Sequence, residues 1–528
     1  MLSVLRGGRV IDPANGRDET ADLCFADGRI VAGGGADVAY DITGCVVLAG
    51  GIDIHSHIAG NNVNTARLLL PELRGRDGFG PAPIAREIGR LYAAMGFTTV
   101  VEPAISPGLA VQAHLELAAI PYIDQAMLCV LGNEDYLLHL LAAGEGEAAV
   151  PDYAARMLAG SRAIGIKLIN PGAAAAFKAN ARRFGLDDEV PRYGTSSRRI
   201  IRALQRAVDA LGIPHSVHLH CSNLGMPGNV ETALATIAAA EGDRLHLAHL
   251  QFYAYGTEGP RGFSSAAPGL AEAINANRNV TADVGQVMFG QTVTISSDVL
   301  RQFNARGMAH PRKSAIMEGV GNGGGIVPYH YRRTNFFNVV QFAAGLELFL
   351  LIADPWRVFF TTDHPNGAPF TAYPDLLALL MDRDLRARWL ADLPEAALAV
   401  TTLASITREY DWGEIATMTR AAPARLLGLP DRGHLAPGAR ADIAVYRPQA
   451  DRAAMFRNAA MVFKDGVLIM RDGVAGAESA GRVLAVRPTY DAAIDRRLGS
   501  FFNETYGVPH TAFDVPAADR FETVPCRT

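Results

Sequence analysis

The sequence predicts an α/β fold: a (β/α)8 TIM-like barrel joined to a small, discontinuous β-sandwich domain that the N- and C-terminal parts build together. Three observations lead there. Short apolar runs alternate with Ala-, Leu- and Arg-rich stretches of helical length, which is the pattern of βα units on a parallel sheet. Strand-like runs with Asp-Gly turns fill residues 1–45 and return after residue 440. The 528 residues exceed one ordinary core yet suit a barrel with a companion domain.

In order along the chain, runs 3–10, 21–25 and 29–32 read as short strands, the last two separated by Asp27-Gly28. Eight barrel strands are then expected at 46–54, 98–101, 126–131, 164–169, 216–220, 244–249, 279–284 and 358–362. Helical patterns such as 84–95 and 198–211 lie between them. The gap before the eighth strand, about 285–357, is too long for one connection and predicts an insertion, with glycine-rich 319–326 as a mobile loop. Runs 441–446, 461–463 and 467–470, with turns at Asp465-Gly466 and Asp472-Gly473, complete the small domain. The expected division is 1–45 and 419–480 for the sandwich, 46–418 for the barrel, and 481–528 for a less periodic C-terminal extension.

Composition excludes several classes. Hydrophobic residues at 49% against 20% charged exclude a disordered chain. A net charge of −5 and a pI near 6.3 offer no basic face for nucleic acid. The start of the chain lacks the apolar run of a secretory signal, and the most apolar stretch, 339–353, carries Gln341 and Glu347 and is too short to span a bilayer. Five scattered cysteines without a CxxC pair point to a reducing compartment. A cytoplasmic protein with no membrane partner is expected. Among 49 basic residues, only Lys167, Lys178, Lys313 and Lys464 are lysine. Each is a place to ask what arginine could not do.

The chemistry-bearing residues cluster at strand ends. In Gly51-Ile52-Asp53-Ile54-His55-Ser56-His57 an apolar run ends in His-x-His, and residues two apart on a strand face one side. Two imidazoles therefore converge where a barrel presents its site. Lys167 ends the run 163–166 and faces either the barrel mouth or its core. Burial would favour its neutral amine, which can add carbon dioxide to form a carbamate; arginine, never deprotonated in proteins, cannot. Lys178 reads as surface or substrate-proximal. In His218-Leu219-His220-Cys221, His220 lies nearer the strand end and is the expected ligand. His218 is either a supporting residue or filler one layer down, and Cys221 should face away. His249 ends the next strand, with His246 expected on the opposite face, towards the helices. Asp363 ends the eighth strand, placed either to bind a metal or to move a proton.

With these residues in order, the chain resembles the metal-dependent amidohydrolase superfamily, through the GGIDIHSH strand, the barrel and the closing stretch 433–445. It is most similar to the family of A subunits of formylmethanofuran dehydrogenases and of bacterial formyltransferase/hydrolase complexes. HSHIAGNNVN (55–64), GIKLINPG (165–172), HLHCSNLG (218–225), AHLQFYAYG (248–256) and TTDHPNGAPF (361–370) carry that likeness.

The resemblance implies two divalent metals, zinc foremost, bridged by N6-carboxylated Lys167 and a hydroxide. His55, His57 and Asp363 would hold one metal, and His220 and His249 the other. The hydroxide would attack a formamide carbon, with Asp363 passing the proton to the departing nitrogen. The implied substrate is a methanofuran-type cofactor in N-formyl form, hydrolysed to formate and amine in one-carbon metabolism. The implied partners are subunits B, C and D, with D supplying formyl groups from a tetrahydromethanopterin carrier. Asn61, Asn62, Asn64 and Arg67 follow on the rim as candidate substrate contacts, though loop asparagines also serve turns. Two rivals stand beside this reading. One is another amidohydrolase, hydantoinase-like or an N-acyl-amino-acid deacylase, against which the long insertion and HLHCSNLG argue. The other is a non-catalytic scaffold within a complex, against which the complete ligand set argues.

Overall fold

The computed structural model describes residues 1–67, 69–70, 84–179, 181, 183–296, 305–312, 317–318 and 325–527. Eight parallel strands form the barrel: Gly51–Asp53, Phe97–Ile105, Asp124–Leu131, Gly165–Ile169, Val217–His220, Leu245–Leu247, Val280–Asp283 and Val358–Phe359. The ring closes where Ser56 bridges His364 in parallel and the His57 amide donates to the His364 carbonyl at 2.8 Å. Strand ends one and eight are therefore locked together beside the histidine pair.

The run 46–54, expected as one barrel strand, is two strands. Val46–Ala49 lies in the small domain, between Leu2–Asp12 and Ile443–Tyr446. Its alternation serves both domains: Val47 and Ala49 join the small core, while Val46 and Leu48 join the barrel core. The barrel strand starts only after the crossing at Gly50 and Gly51. There a Cβ on Gly50 would sit 2.2 Å from Thr98 Oγ1, and one on Gly51 would sit 2.7 Å from the Phe97 ring.

The small domain is one mixed nine-stranded sheet. Strands from the start of the chain (Leu2–Asp12, Arg17–Ala26, Arg29–Val31, Val38–Asp41) and from its later part (Ile443–Tyr446, Met461–Lys464, Val467–Arg471, Val474–Ala475) meet on either side of Val46–Ala49. It packs over its own core, which includes Leu5, Phe25, Ile443 and Phe463.

The insertion before the eighth strand pairs Gly290–Ser296 antiparallel with Gly325–Tyr331, and Met317–Glu318 adds to the latter. Of the expected mobile loop, 319–324 lies outside the described residues, and Gly325 and Ile326 begin a strand. The apolar stretch is the helix Phe336–Leu351, buried on almost every side. Glu347 is tolerated inside because it accepts from the Ser265 hydroxyl and from the Thr402 amide and hydroxyl. No helix among the described residues is long and apolar enough to cross a membrane.

The C-terminal extension is more ordered than its weak periodicity suggests. Val483–Val486 pairs in parallel with the start of the third barrel strand, and Phe521–Val524 pairs with it in turn. Buried Arg156 ties this segment down, binding Asp495 at 2.6 Å and Asp514 at 2.8 Å.

Candidate metal centre

His55 and His57 follow the first strand, which ends at Asp53, and both rings turn an Nε2 to Asp363. Each ring then faces two carboxylates. His55 Nδ1 lies 3.0 Å from Asp283 Oδ2, and its Nε2 lies 3.1 Å from Asp363 Oδ1. His57 Nδ1 lies 2.9 Å from Glu102 Oε1, and its Nε2 lies 3.6 Å from the same Asp363 oxygen. In both rings Nδ1 is engaged from behind and Nε2 turns to Asp363. A carboxylate behind the ring fixes which nitrogen carries the proton and leaves the other lone pair for a cation. Glu102 also accepts the Ile58 and Ala59 amides on its second oxygen, which pins the loop after the histidines. Burial opposes protonation of His57, but Glu102 and Asp363 outweigh it and lift its pKa to about 9.

The fourth strand supplies Lys167, which is 2% exposed. Its Nζ has no hydrogen-bond partner among the described residues. Burial pushes its pKa down to about 8, against the pull of Asp283, Asp363 and Glu102. On the fifth strand His218 pairs in register with Lys167, and His220 pairs with Ile169, one layer nearer the mouth. His218 is deep: its Nε2 lies 3.0 Å from His55 Nδ1 and 3.3 Å from Asp283 Oδ2, and its Nδ1 meets His215 Nε2 at 3.0 Å. The His220 ring stands 4.6 Å from that of His249. Cys221 faces the helix side, where its thiol meets Thr236.

His246 corrects the sequence reading. It points into the barrel, fully buried, with Nε2 3.0 Å from Asp283 Oδ2 and its ring 4.5 Å from that of His218. Strict alternation would then send His249, three residues on, outwards. The strand ends at Leu247, however, and His249 adopts a left-handed backbone with φ +34°, which swings its ring back to the mouth. The His249 amide donates to Asp283 Oδ1 at 2.6 Å, and its buried Nδ1 has no partner among the described residues.

Asp363 has the same backbone habit, with φ +51°. The Thr361 hydroxyl accepts its amide, and the Asn366 side-chain amide donates to its Oδ1, each at 3.0 Å. Burial opposes its ionisation, yet His249 and His55 hold its pKa well below the usual carboxylate range. Gly285 makes room for the pair: a Cβ there would lie 2.4 Å from His249 Cβ and 3.3 Å from Asp363 Cβ. As a result His55, His249 and Asp363 bring ligand atoms within 4.8 Å of one another. This set can hold a metal ion.

Sequence reasoning missed Glu102, Asp283 and the inward turn of His246. Asp283 ends the seventh strand, the same signal that singled out Asp363 on the eighth, and Glu102 lies within the second, directly after the run expected at 98–101. On the rim, Asn61, Asn62, Asn64 and Arg67 form the helix Asn61–Arg67. Asn62 lines the pocket over the site, together with Val63, Ile105, Leu109, Leu224, Phe252 and Ile295. Asn64 instead donates to Glu116 Oε1 at 2.6 Å, and Arg67 is 5% exposed and donates to Asn64 Oδ1 at 3.0 Å. The side chain of Asn61 lies outside what the structure describes.

This histidine- and acid-lined barrel mouth has relatives. The amidohydrolase family model matches residues 38–470. The A subunit of the formyltransferase/hydrolase complex Fhc of Methylorubrum extorquens is 48% identical, covering 100% of both chains. Protein FwdA of Methanocaldococcus jannaschii is 37% identical over 84% of this chain and 83% of its own. A chain in the crystal structure of the M. extorquens FhcABCD complex with methylofuran superimposes with a TM-score of 0.95, covering 100% of both chains at 48% identity. The zinc- and phosphonate-bound N-acyl-D-glutamate deacylase of Bordetella bronchiseptica shares the fold, with a TM-score of 0.52 at 18% identity over 91% of this chain and 98% of its own. The chain belongs to the amidohydrolase family of amide-bond hydrolases, within the group of formyltransferase/hydrolase complex A subunits.

Proposed function

We propose that the chain is the hydrolytic A subunit of a formyltransferase/hydrolase complex, acting with subunits B, C and D. It cleaves N-formylmethanofuran, or a close analogue, to formate and the free amine. Full-length identity of 48% to the M. extorquens A subunit supports the complex, and methylofuran in that complex's crystal structure supports the substrate class.

The observation that carries the chemistry is Lys167 Nζ, buried without a hydrogen-bond partner among histidines and carboxylates. Such a nitrogen is costly unless a further group satisfies it. Together with the unpartnered His249 Nδ1, it fits a centre completed by cations. On this reading His55, His57 and Asp363 would hold one divalent metal, zinc foremost, and His220 and His249 would hold another. Lys167, as a carbamate, would be a further ligand to them. Such cations supply Lewis acidity and lower the pKa of water towards about 7.

The chain's own residues do the rest. Asp363, ionised and aimed by Thr361 and Asn366, accepts a proton from the attacking water and returns it to the amide nitrogen as the C–N bond breaks and the C–O bond forms. The pocket lining includes no arginine among the described residues, and its one lysine is Lys167. A carboxylate on the amine side, as in N-acyl amino acids, would meet no arginine and no lysine other than Lys167 among the described residues of that wall. A neutral, largely apolar amine side matches it better.

The test is a substrate panel on the purified complex. Formate release is expected from N-formylmethanofuran and not from hydantoins or N-acyl amino acids, with about two metals per hydrolytic chain by elemental analysis. A metal-loaded complex that releases no formate from the formyl substrate would falsify the reading.

A further inference from the structure

Ile295 and Tyr331, from the two paired strands of the insertion, line the pocket over the site. The same strands grip the turn that follows Asp363. The Thr292 hydroxyl donates to the Pro365 carbonyl. The Ile295 amide donates to Asn366 Oδ1 at 2.7 Å, and the Tyr331 hydroxyl donates to the Asn366 carbonyl at 3.3 Å. Thr292, Tyr331 and Asn366 are all buried, so breaking one of these bonds leaves a polar group without water to replace its partner.

The Ile295 amide fixes which way Asn366 points. A backbone N–H can only donate, so the side-chain oxygen of Asn366 must face it. The side-chain nitrogen is then the end left for Asp363, and it donates to Oδ1 at 3.0 Å. That same oxygen lies 3.1 Å from His55 Nε2 and 3.6 Å from His57 Nε2. The side-chain contacts of Asp363 thus gather on Oδ1, and no hydrogen bond among the described residues reaches Oδ2. The two oxygens of one carboxylate are held in different surroundings, and the donor that separates them is oriented by the insertion.

We propose that Asn366 is a positioning residue through which the insertion sheet sets Asp363, holding Oδ1 on the histidine side and leaving Oδ2 as the oxygen that carries the proton. In the proposed hydrolysis Oδ2 takes a proton from the attacking water as the C–O bond forms. It returns that proton to the amide nitrogen as the C–N bond breaks, so the carboxylate ends the cycle ionised. The insertion is then part of the mounting of the proton carrier as well as a wall of the pocket. The role of Oδ2 rests on the proposed hydrolytic function; the link from Ile295 through Asn366 to Asp363 rests on the hydrogen bonds themselves.

The test uses the purified complex with two variants. Asn366→Asp keeps an oxygen for the Ile295 amide but sets a second carboxylate, in place of a donor, against Asp363. Thr292→Val removes the bond to Pro365 and changes no residue of the pocket lining. In Asn366→Asp, kcat is expected to fall about 10–100-fold with KM within about twofold and metal content unchanged. Thr292→Val should lower kcat in the same way but less. In the cobalt(II)-substituted complex the visible absorption of Asn366→Asp should shift from that of wild type, since Oδ1 is no longer held; this readout needs no turnover. Unchanged kcat in Asn366→Asp overturns the proposal, and so does a fall in kcat matched by loss of metal. Unchanged kcat in Thr292→Val overturns the part given to the insertion, and that variant carries the test should Asn366→Asp fail to assemble. The two readings fail separately. A cobalt shift at equal metal content, in a complex that hydrolyses no formamide, sinks the function and keeps the Asn366 link. Formamide hydrolysis at wild-type kcat with an unshifted cobalt spectrum in Asn366→Asp does the reverse.

Discussion

Asp283 Oδ2 lies 3.0 Å from His55 Nδ1 and holds that ring from behind. The same oxygen lies within 3.3 Å of His218 Nε2 and His246 Nε2, and Oδ1 accepts the His249 amide. One carboxylate thus organises residues from strands one, five and six. Burial opposes its charge, but the surrounding imidazoles hold its pKa well below the usual range. An anion with several donors fixes a proton on His55 Nδ1 and leaves Nε2 as a lone pair facing Asp363.

Replacing Asp283 with Asn is therefore expected to weaken metal retention by about 10–100-fold. The amide can accept and donate, so the His55 tautomer is no longer imposed. Chelator competition followed by elemental analysis measures this directly. Retention equal to wild type would show that Asp283 serves packing alone.

Lys167→Ala should lower both metal content and formate release, and Lys167→Arg should not restore either, because a guanidinium cannot add carbon dioxide. The pH dependence has a definite sign. Carbamate formation needs the neutral amine, whose fraction rises as pH passes about 8. Below that value, the rate at which metal-free protein regains activity with zinc at a fixed dissolved carbon dioxide concentration should rise about tenfold per pH unit. A flat profile would separate Lys167 from the bridging role.

Gly285→Ala tests the crowding behind His249. The position has φ +64°, and the added Cβ would lie 2.4 Å from His249 Cβ. Strain of about 1–3 kcal/mol is expected. Because the neighbours that must move are His249 and Asp363, formate release should fall more than thermal stability does. Melting temperature and kcat on the same preparation compare the two.

How much of this was legible in the sequence follows from which rules are local. Alternation placed His55 with His57, just past the end of the first strand, and His218 beneath His220 within the fifth. It failed at His246, where the left-handed turn at His249 breaks the alternation, and no residue type announces such a turn when the residue is a histidine. The run 46–54 read as one strand because nothing in its hydrophobicity marks a change of sheet; the break lies in two glycines crossing Thr98 and Phe97. Asp283 was visible as an acid at a strand end and Glu102 as an acid directly after an apolar run. Their work depends on which histidine faces them from a distant strand, and that is a property of the closed barrel. The strands of the C-terminal extension were not legible, because Val483–Val486 takes its partner from the distant third barrel strand and Phe521–Val524 adds to it in turn.

The scarcity of lysine has a second consequence at Lys464, far from the metal centre. Its Nζ is wholly buried, 3.0 Å from both Asp124 Oδ2 and Asp442 Oδ2. Asp124 begins the third barrel strand and Lys464 ends a strand of the small domain, so this contact joins the two cores. A compact ammonium offers three donors to converging carboxylates, which a flat guanidinium does not. Lys464→Met would leave these acids with Arg432 as their nearest remaining cation, at 3.0 Å from Asp124. A loss of about 3–5 kcal/mol is expected from removing one partner of a buried pair. The acid limb should shift as well. Burial raises the pKa of Asp124, but Lys464 and Arg432 more than offset this and hold it below the ordinary carboxylate value. That contribution is present above the unfolded pKa and is lost as pH falls through the folded one. Without Lys464 the folded value rises, so the midpoint of acid unfolding should move to higher pH. Circular dichroism across an acid titration of wild type and Lys464→Met reads that shift, and coincident midpoints would show that Arg432 alone holds the junction.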